Sequence, residues 1–384
     1  MKIVDVKAIP LVRSLDEAYL GGTYQITSRN TLVTEVWTDT GVVGRAFGGD
    51  EWRYQNEIVQ VIVDHFKPIL VGEDIRDVEK LWEAMFTTKL DLGNRSIHTI
   101  DLANKATQMQ AIAGVDIAIW DALGKAMNSP VYRLLGGFKD KVPVVGIGGY
   151  YKQGKGDREL VKEMIGYQDM GLSGVKMKVG RADVEEDVRR VRVVREAVGP
   201  DFVIACDANQ AWTPDQAIQF GRLAENLNLK WLEEPVQWYD QTEGNRRVRQ
   251  AIRIPISAGQ GEISRFGCRD LVVNEAVDIL NVDVTIAGGI TEWRKIAAMA
   301  GMFGIGMGHH EEPQVAIQLL AAVPNGMFVE IFPDRDRDPM WYELPVCQPV
   351  IKNGYMEVPQ GSGLGMELNS AVINKYSAAP VVAV

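Results

Sequence analysis

Two lysines one residue apart, Lys176 and Lys178, lie in the stretch Gly-Val-Lys-Met-Lys-Val-Gly at 174–180. The alternation predicts a strand whose apolar residues share one face and whose two ammonium groups share the other. Strands of an α/β barrel are buried on both faces, so interior lysines are costly unless they meet acidic partners or serve chemistry. A lysine beside a second cation has a lowered pKa, toward the range of a general base. The pair therefore indicates a base site; the alternative is an edge strand with two solvated lysines.

Carboxylates follow the next three predicted strands. They occur in Ala-Cys-Asp207, in Leu-Glu233-Glu234-Pro and in Ala-Gly-Gln260-Gly-Glu262. The carboxyl ends of barrel strands meet at one face, so we expect these groups to converge on a point the size of a cation. Oxygen ligands without cysteine or histidine favour Mg²⁺. Each acid alone would be typical of a helix start, but three together beside the lysine pair predict a metal site.

A histidine and an aspartate form a second candidate pair. Two of the four histidines, His309 and His310, follow the seventh predicted strand, and Asp283 follows the sixth. A neighbouring aspartate can fix the tautomer of an imidazole, which is the arrangement of many acid–base sites. In the eighth strand, Glu330 points a carboxyl group from an otherwise apolar run, and such a group is either paired or used.

The elements that must position these residues form a repeated strand–helix pattern from about residue 140. Helices between the strands begin at caps such as Thr213-Pro214-Asp215. Glu311 and Glu312, before Pro313, are expected only to open a helix. Eight β-rich runs predict a (β/α)8-type barrel: Val142–Ile147, Gly174–Val179, Phe202–Cys206, Trp231–Leu232, Ile254–Ser257, Val277–Asn281, Met302–Met307 and Met327–Ile331.

The rest of the chain has a different texture and predicts a second domain. Strand-like runs occupy the first 50 residues, at Ile3–Val12, Leu32–Thr38 and Val42–Phe47, and helical patterns follow at about 52–67, 77–88 and 105–127. After about 335 the chain turns polar, with short strands near 349–358. We expect an α+β capping domain at 1–135, the barrel at 136–334, and a segment at 335–384 that packs back on the capping domain.

Composition narrows the class of protein. The chain has 384 residues and a net charge of −10, which argues against nucleic acid or an anionic membrane as partner. Its three cysteines are few and widely spaced, which suits a reducing cytoplasm and indicates neither a disulfide framework nor a zinc cluster. The first residues alternate like a strand and lack a signal-peptide pattern, and no apolar run is long enough to span a bilayer. We expect a cytoplasmic protein.

The ordered motifs together resemble the mandelate racemase subgroup of the enolase superfamily over nearly the whole chain. The segment 148–156, followed by Val-Lys-Met-Lys, is also similar to D-tartrate dehydratases. The seventh-strand sequence is not similar to theirs, which indicates shared chemistry rather than a shared substrate. The resemblance implies a modified (β/α)8 barrel of the (β/α)7β type under a capping domain, in a homo-oligomer. It rests on Lys176-x-Lys178, Asp207-x-Asn209, Glu233-x-Pro235, Asp283 with Gly288-Gly289, His310 and Glu330.

The resemblance also implies roles for the bases. Lys178 would remove the proton α to a carboxylate, with Lys176 lowering its pKa. His310, oriented by Asp283, would protonate a departing β-hydroxyl, or would return a proton to the opposite face in a racemase. Glu330, in its protonated form, would donate a hydrogen bond to the substrate carboxylate. Such sites combine a lysine or histidine base with Mg²⁺ that stabilises an enediolate.

For the metal, the resemblance implies Asp207 and Glu233 as ligands. The family places its third carboxylate where this chain has Gln260. Glu262 has the same strand parity and is assigned the role instead; if Gln260 ligates, the site loses a negative charge and metal affinity falls.

Substrate choice is expected to lie in two glycine-rich loops at Gly21–Tyr24 and Gly48–Tyr54, which would close over the barrel mouth. Tyr24 and Arg53 in these loops, and Asn209 in the barrel, are the predicted substrate-binding residues. The mixture of hydroxyl, carboxyl, guanidinium and indole groups in these loops suits a polyhydroxylated substrate. The alternative is that the loops are ordinary glycine-rich surface turns.

These features predict a Mg²⁺-dependent acid-sugar dehydratase that converts an aldonate or aldarate, preferably a pentonate or hexonate, to a 2-keto-3-deoxy acid. A racemase or epimerase with the same two bases is the first alternative. A non-catalytic sugar-acid-binding protein is the second, and a cycloisomerase the third.

Overall fold

The computed structural model describes residues 1–49, 53–90 and 102–378. A three-stranded antiparallel sheet and a ten-stranded, mainly parallel sheet organise the chain. None of the helices in these ranges is long and apolar enough to cross a membrane.

The N-terminal sheet contains longer strands than the sequence patterns predict. Its strands are β1 (Ile3–Leu20), β2 (Gln25–Thr38) and β3 (Val43–Gly48), in the order β1-β2-β3. The Gly21–Tyr24 loop connects the first two, as expected. Helices α1 (Gln55–Gln60), α2 (Lys67–Leu70), α3 (Val78–Thr87), α4 (Leu102–Ala126) and α5 (Val131–Leu134) follow, with a π-helical segment, Val61–Phe66, between α1 and α2. The long helix α4 packs on β2 and β3: Gly44 of β3 lies against Ala118 and Ala122, and Gly114 lies against Thr34 of β2.

All eight predicted barrel strands are present. They run parallel in the order β4 to β10, and β11 pairs with β4; Met307 and Gly326 form the bridge that links β10 to the segment before β11. The strands are β4 (Lys141–Gly148), β5 (Gly174–Lys178), β6 (Val203–Asp207), β7 (Leu229–Glu233), β8 (Ile256–Ala258), β9 (Ile279–Asn281), β10 (Gly306–Gly308) and β11 (Val329–Ile331).

One α-helix follows each of the first seven strands, which makes the barrel a (β/α)7β type. The predicted cap at Thr213 is present: its hydroxyl accepts the Gln216 amide at 3.4 Å, and the Gln216 side chain accepts the Thr213 amide at 3.0 Å. The helices are α6 (Asp157–Asp169), α7 (Val184–Val198), α8 (Pro214–Leu223), α9 (Gln241–Ala251), α10 (Arg265–Val273), α11 (Gly289–Met302) and α12 (Pro313–Ala322).

Strand register places the candidate site residues in one row. Lys178 is paired with Asp207, Asp207 with Glu233, and Glu233 with Ser257. Paired positions on adjacent parallel strands point their side chains to the same face. A lysine, two carboxylates and a serine hydroxyl therefore lie side by side at the carboxyl ends of four neighbouring strands.

The capping region is fixed to the barrel by buried hydrogen bonds. Thr291 on α11 donates from its amide and hydroxyl to Asp116 on α4, at 2.9 and 2.6 Å, and its hydroxyl accepts the Trp120 indole at 2.9 Å. Gly289 allows this approach, because a Cβ there would lie 2.5 Å from the Asp116 carboxylate, and its φ of +86° also favours glycine. These hydrogen bonds join α4 of the capping region to α11 of the barrel.

The C-terminal segment divides between the two sheets. The hairpin of β12 (Ile351–Lys352) and β13 (Tyr355–Glu357) pairs antiparallel with β4, an arrangement that the sequence does not predict. After α13 (Pro339–Glu343), the last helix, α14 (Ser370–Tyr376), returns to β1, where the Ala378 amide donates to the Pro10 carbonyl.

Candidate active site

The two lysines lie in the barrel interior among carboxylates. The Lys176 ammonium is 2.6 Å from Glu233, 2.7 Å from Glu330 and 3.7 Å from Asp207. Lys178 is 2.7 Å from Asp207. All five side chains are buried. Buried ion pairs contribute little net stability, since desolvation offsets the Coulomb attraction, so this cluster indicates function rather than a need for stability.

The predicted lowering of the Lys178 pKa is wrong for this arrangement. Burial lowers the pKa of Lys178, but Asp207, with Tyr24 and Tyr150, raises it well above its usual value. Burial likewise lowers the pKa of Lys176, but its carboxylate neighbours outweigh burial and raise it. Lys178 does lower the pKa of Lys176, which is the expected effect between cations, but the anions have the larger influence.

Asp207 and Glu233 are arranged to share one cation. The Lys176 ammonium lies within 4 Å of both carboxylates, so a single cation can contact the two of them. The other oxygens are fixed: Asp207 accepts the Asn209 amide at 2.9 Å, and Glu233 accepts the Trp231 indole at 3.0 Å. Burial raises the pKa of Glu233 to about 7, against the opposing effect of Lys176. Two buried carboxylates of this kind fit Mg²⁺.

The third oxygen ligand is where the structure and the predicted ligand set diverge. Across the described ranges, no three His, Cys, Asp or Glu side chains are grouped to hold a metal ion. The Glu262 carboxylate lies against α10, where it would overlap a Cβ on Gly267. The Gln260 Oε1 atom is buried with no hydrogen-bond partner in the described structure. An unpartnered buried oxygen favours Gln260 as the ligand, while Glu262 stays a prediction.

Metal titration separates these two ligands. We expect Gln260→Ala to weaken Mg²⁺ binding by at least about tenfold. Mutation of a residue that only supports a metal ligand lowers metal affinity by about 10- to 100-fold, and loss of a ligand itself should cost no less. Glu262→Gln is expected to change the affinity by less than about twofold, since its carboxylate lies against α10. Isothermal titration calorimetry with Mg²⁺, or Mn²⁺ as a paramagnetic substitute, measures both. The reverse ranking would return the ligand role to Glu262.

His310 is held between two carboxylates. Its Nδ1 is 3.0 Å from Asp283, as predicted, and its Nε2 is 3.5 Å from Glu311. Burial lowers the pKa of His310, but Glu311 and Asp283 together raise it to about 9. Thr285 donates its amide and hydroxyl to the other Asp283 oxygen, at 2.8 and 2.6 Å, which fixes the carboxylate. The two carboxylates therefore orient the imidazole and favour its protonated form.

His309, by contrast, is a structural residue. Its Nε2 accepts the Val284 amide at 3.2 Å, while Nδ1 faces the backbone carbonyls of His310 and Glu311. These contacts require a neutral ring with its proton on Nδ1. Burial accordingly lowers its pKa.

The expectation that Glu311 and Glu312 only open a helix is wrong. Both have left-handed backbone conformations, with φ of +48° and +46°, and neither side chain caps α12. Glu311 instead faces the site. Glu312 accepts from the Gly49 amide at 3.0 Å and from Arg29 at 3.3 Å, so it connects the barrel to the second loop of the capping domain.

Glu330 accepts rather than donates in this structure. Its two oxygens meet the Lys176 ammonium at 2.7 Å and the Glu311 amide at 3.0 Å. The predicted role as a protonated donor to the substrate would require at least the lysine contact to change, and it stays a prediction.

The predicted substrate-binding residues differ in where they lie. The Tyr24 ring centroid is 5.7 Å from the Lys178 ammonium, so the first loop reaches the barrel mouth. Thr23 donates to the Asn209 carbonyl at 3.3 Å, and the Asn209 Oδ1 is buried without a partner in the described structure. Arg53 is exposed just before α1, and residues 50–52 of the second loop lie outside the described residues.

Backbone strain is concentrated at the barrel mouth. Among the described residues, five of the nine non-glycine residues with positive φ follow a barrel strand and carry polar side chains. Each costs about 1–3 kcal/mol, and such strain persists where the fold must aim a side chain. They are Asn209 and Gln210 after β6, Glu234 after β7, and Glu311 and Glu312 after β10.

Three further side chains at the site are missed by the sequence patterns. Tyr150 lies 5.7 Å from the Lys178 ammonium through its ring, and its hydroxyl accepts from Arg337 at 3.4 Å. Ser257 continues the row of Glu233, and its hydroxyl is buried without a partner in the described structure. Arg337 belongs to a polar run that reads as a surface segment. Strand parity could have identified Ser257. The sequence holds no comparable signal for Tyr150 or Arg337.

Comparison with known proteins assigns the family. Residues 158–372 match the enolase C-terminal domain-like family, and residues 22–136 match the mandelate racemase / muconate lactonizing enzyme N-terminal domain. An arabinonate dehydratase of Saccharolobus solfataricus is 34% identical over 90% of both chains. A D-galactarolactone cycloisomerase of Agrobacterium fabrum is 30% identical over 98% of this chain and 99% of its own.

Comparison with solved structures supports the same family. A mandelate racemase/muconate lactonizing enzyme from a marine actinobacterium, in complex with magnesium, superposes with a TM-score of 0.88 at 38% identity, covering 98% of this chain and 99% of the other. The L-talarate/galactarate dehydratase of Salmonella typhimurium, liganded with Mg and L-lyxarohydroxamate, has a TM-score of 0.88 at 27% identity, covering 98% and 93%. The chain belongs to the enolase superfamily, in its mandelate racemase subgroup.

Proposed function

We propose that this protein is a Mg²⁺-dependent dehydratase of sugar acids, a carbon–oxygen lyase that forms 2-keto-3-deoxy acids. The carrying observation is that the His310 ring lies between Asp283, 3.0 Å from Nδ1, and Glu311, 3.5 Å from Nε2, and that these two carboxylates raise its pKa to about 9. A general acid of this kind is what departure of a hydroxyl group requires. Relatives named as dehydratases of arabinonate, talarate/galactarate, xylonate and rhamnonate support the reaction type.

Removal of the α-proton is assigned to Lys178. Mg²⁺ held by Asp207 and Glu233 would offset the negative charge that develops on the substrate carboxylate and would weaken the attraction of Asp207 for the Lys178 ammonium. Lys178, whose ammonium lies 2.7 Å from Asp207, would accept the α-proton in its neutral form. Lys176 remains a cation between Glu233 and Glu330, which keeps positive charge beside the developing anion.

Departure of the β-hydroxyl is assigned to His310. Its Nδ1 proton is donated to Asp283, so the Nε2 proton is the one available for transfer. Transfer of that proton to the hydroxyl releases water and leaves an enol, which tautomerises to the 2-keto-3-deoxy acid. Strands β5 and β10 lie three strands apart around the barrel, with β4 and β11 between them, so the base and the acid approach the substrate from different sides.

Epimerisation is the less favoured use of the same residues. An epimerase needs His310 as a base in one direction, and the imidazole must then be neutral. With a pKa of about 9, the neutral form is the minor one at neutral pH. The two flanking carboxylates therefore favour an acid over a base at this position.

A cycloisomerase is the second candidate function. The similarity to the D-galactarolactone cycloisomerase extends over 98% of this chain and 99% of that relative, which supports this alternative. It predicts turnover of a lactone without release of a keto acid.

A substrate screen tests the proposal. Purified protein with Mg²⁺ is incubated with a library of monocarboxylic and dicarboxylic sugar acids and lactones, and the 2-keto acid is measured as its semicarbazone. We expect a signal for a few stereochemically related acids, lost when EDTA is added. Turnover of lactones alone would support the cycloisomerase, and silence across the acids would reject dehydration for them.

The rate should depend on pH through His310. The acid must be protonated, so activity persists below its pKa of about 9 and is lost as pH rises through that value. Asp283→Asn removes one of the two carboxylates that raise this pKa and is expected to move the alkaline loss of kcat/KM to lower pH, toward the usual histidine range of about 6.5. A profile with the same alkaline limb in both proteins would assign that limb to another group.

A further inference from the structure

An arc of side chains connects the proposed base to the proposed acid around the barrel mouth. From Lys178 it passes to Tyr150, whose hydroxyl accepts from Arg337 at 3.4 Å. Arg337 lies 3.9 Å from Glu311, and Glu311 lies 3.5 Å from the Nε2 of His310. The proposed mechanism uses both ends of this arc, and it uses Glu311 only for its effect on the pKa of His310.

The position of Glu311 is imposed at a cost. It is a non-glycine residue with a φ of +48°, next to a second one, and its side chain is about nine-tenths buried. Its amide donates to Glu330 at 3.0 Å, which fixes the backbone against the lysine cluster. A strained, buried carboxylate is retained where the surrounding structure holds it for use.

The charge of Glu311 is maintained in the folded protein. Burial raises the pKa of this carboxyl, but His310, Arg337, Arg29 and Lys178 lower it below its usual value. An ionised carboxylate accepts hydrogen bonds and donates none, so it suits sugar hydroxyls and cannot pair with another carboxylate. Arg29 is already engaged by Asp338 at 3.0 Å and Glu312 at 3.3 Å.

The proposed reaction fixes which part of a substrate meets Glu311. The metal ligands and lysines hold the carboxylate and the α-carbon, and His310 meets the β-hydroxyl. The remaining carbons would then extend past His310 toward Glu311, which lies 3.5 Å from His310 and 3.9 Å from Arg337. A distal hydroxyl group of the substrate would donate a hydrogen bond to Glu311. A second carboxylate would be repelled by Glu311 and would compete with it for the Arg337 guanidinium.

We propose that Glu311 selects monocarboxylic sugar acids: it accepts hydrogen bonds from the distal hydroxyls of an aldonate and rejects the second carboxylate of an aldarate. This inference rests on the proposed function, because that function sets the direction of the substrate chain. The adjacent Glu312 has a different role. Its carboxylate accepts hydrogen bonds from Arg29, Gly49 and Gln314, which connect the barrel to the second loop.

Binding measured without turnover tests the inference. Lys178→Ala protein with Mg²⁺ is titrated calorimetrically with three matched pairs: gluconate and glucarate, galactonate and galactarate, xylonate and xylarate. With Glu311 present, we expect the aldonate of the recognised stereochemistry to bind at least about tenfold more tightly than its aldarate, as expected for two like charges in a partly buried site. Glu311→Gln should reduce that preference by about tenfold or more, whereas Glu311→Asp, which keeps the charge, should retain it.

Glu312→Gln is the matched control, since it makes the same chemical change at the next residue and should leave the preference unaltered. Melting temperatures verify folding, and Glu311→Ser replaces Glu311→Gln if the latter is unstable. Equal binding of both acids with Glu311 present, or a preference that survives Glu311→Gln, would overturn the inference while leaving dehydration intact. Failure of every acid to bind would instead reject the proposed function, and the inference with it.

Discussion

Lys178→Ala is expected to lower keto-acid formation by about 10²- to 10⁴-fold, the usual contribution of a positioned general base. The substitution removes the ammonium group next to Asp207 and leaves no other lysine in the described structure within reach of that oxygen except Lys176, at 3.7 Å. Lys176 is engaged by Glu233 and Glu330 and so is poorly placed to replace it.

Two measurements show that the loss is chemical. Mg²⁺ affinity should be retained or increased in Lys178→Ala, since a cation that competes for Asp207 is gone. Deuterium exchange at the α-carbon in D₂O should disappear together with the keto acid. Lys295→Ala, which removes a lysine paired with Glu79 on the outer surface, serves as the control and should keep full activity. Unimpaired exchange in Lys178→Ala would assign proton abstraction to another residue.

His310→Asn is expected to separate the two halves of the reaction. Keto-acid formation should fall by about 10²- to 10⁴-fold, because the departing hydroxyl loses its proton donor. Exchange of the α-proton should remain, since Lys178 and its acidic neighbours are unaffected. The asparagine amide can still occupy part of the space against Asp283, which limits structural change.

Proton NMR in D₂O records both events in one sample. His65→Asn, at a histidine in the π-helical segment of the capping region, is the control and should change neither. Loss of exchange in His310→Asn together with loss of product would identify His310, rather than Lys178, as the abstracting base. Full dehydration in that variant would remove His310 from the mechanism.

The fold was predictable because its signals are local. Each barrel strand is a short apolar run between turn residues, and caps such as Thr213-Pro214 mark helix starts. The lysine pair, Asp207, Glu233 and the His310–Asp283 pair follow from strand ends, since a barrel brings those ends to one face.

The parts that could not be predicted depend on contacts between distant segments. The hairpin that pairs with β4 has no sequence signal for its partner. The direction of the lysine pKa shifts depends on how closely Asp207, Glu233 and Glu330 approach, and the lysine spacing alone suggests the opposite direction. Glu311 points into the site because its backbone φ is positive. The sequence does not indicate this conformation, since the residue is neither glycine nor asparagine.

Proton NMR in D₂O on the wild-type protein, with Mg²⁺ and the sugar-acid library, distinguishes dehydration from epimerisation in a single experiment. Dehydration predicts loss of the α-proton together with a new C3 signal of a 2-keto-3-deoxy acid, in which one C3 position carries deuterium from the solvent. Exchange of the α-proton with no C3 product would contradict the account and identify an epimerase built on the same lysine and histidine.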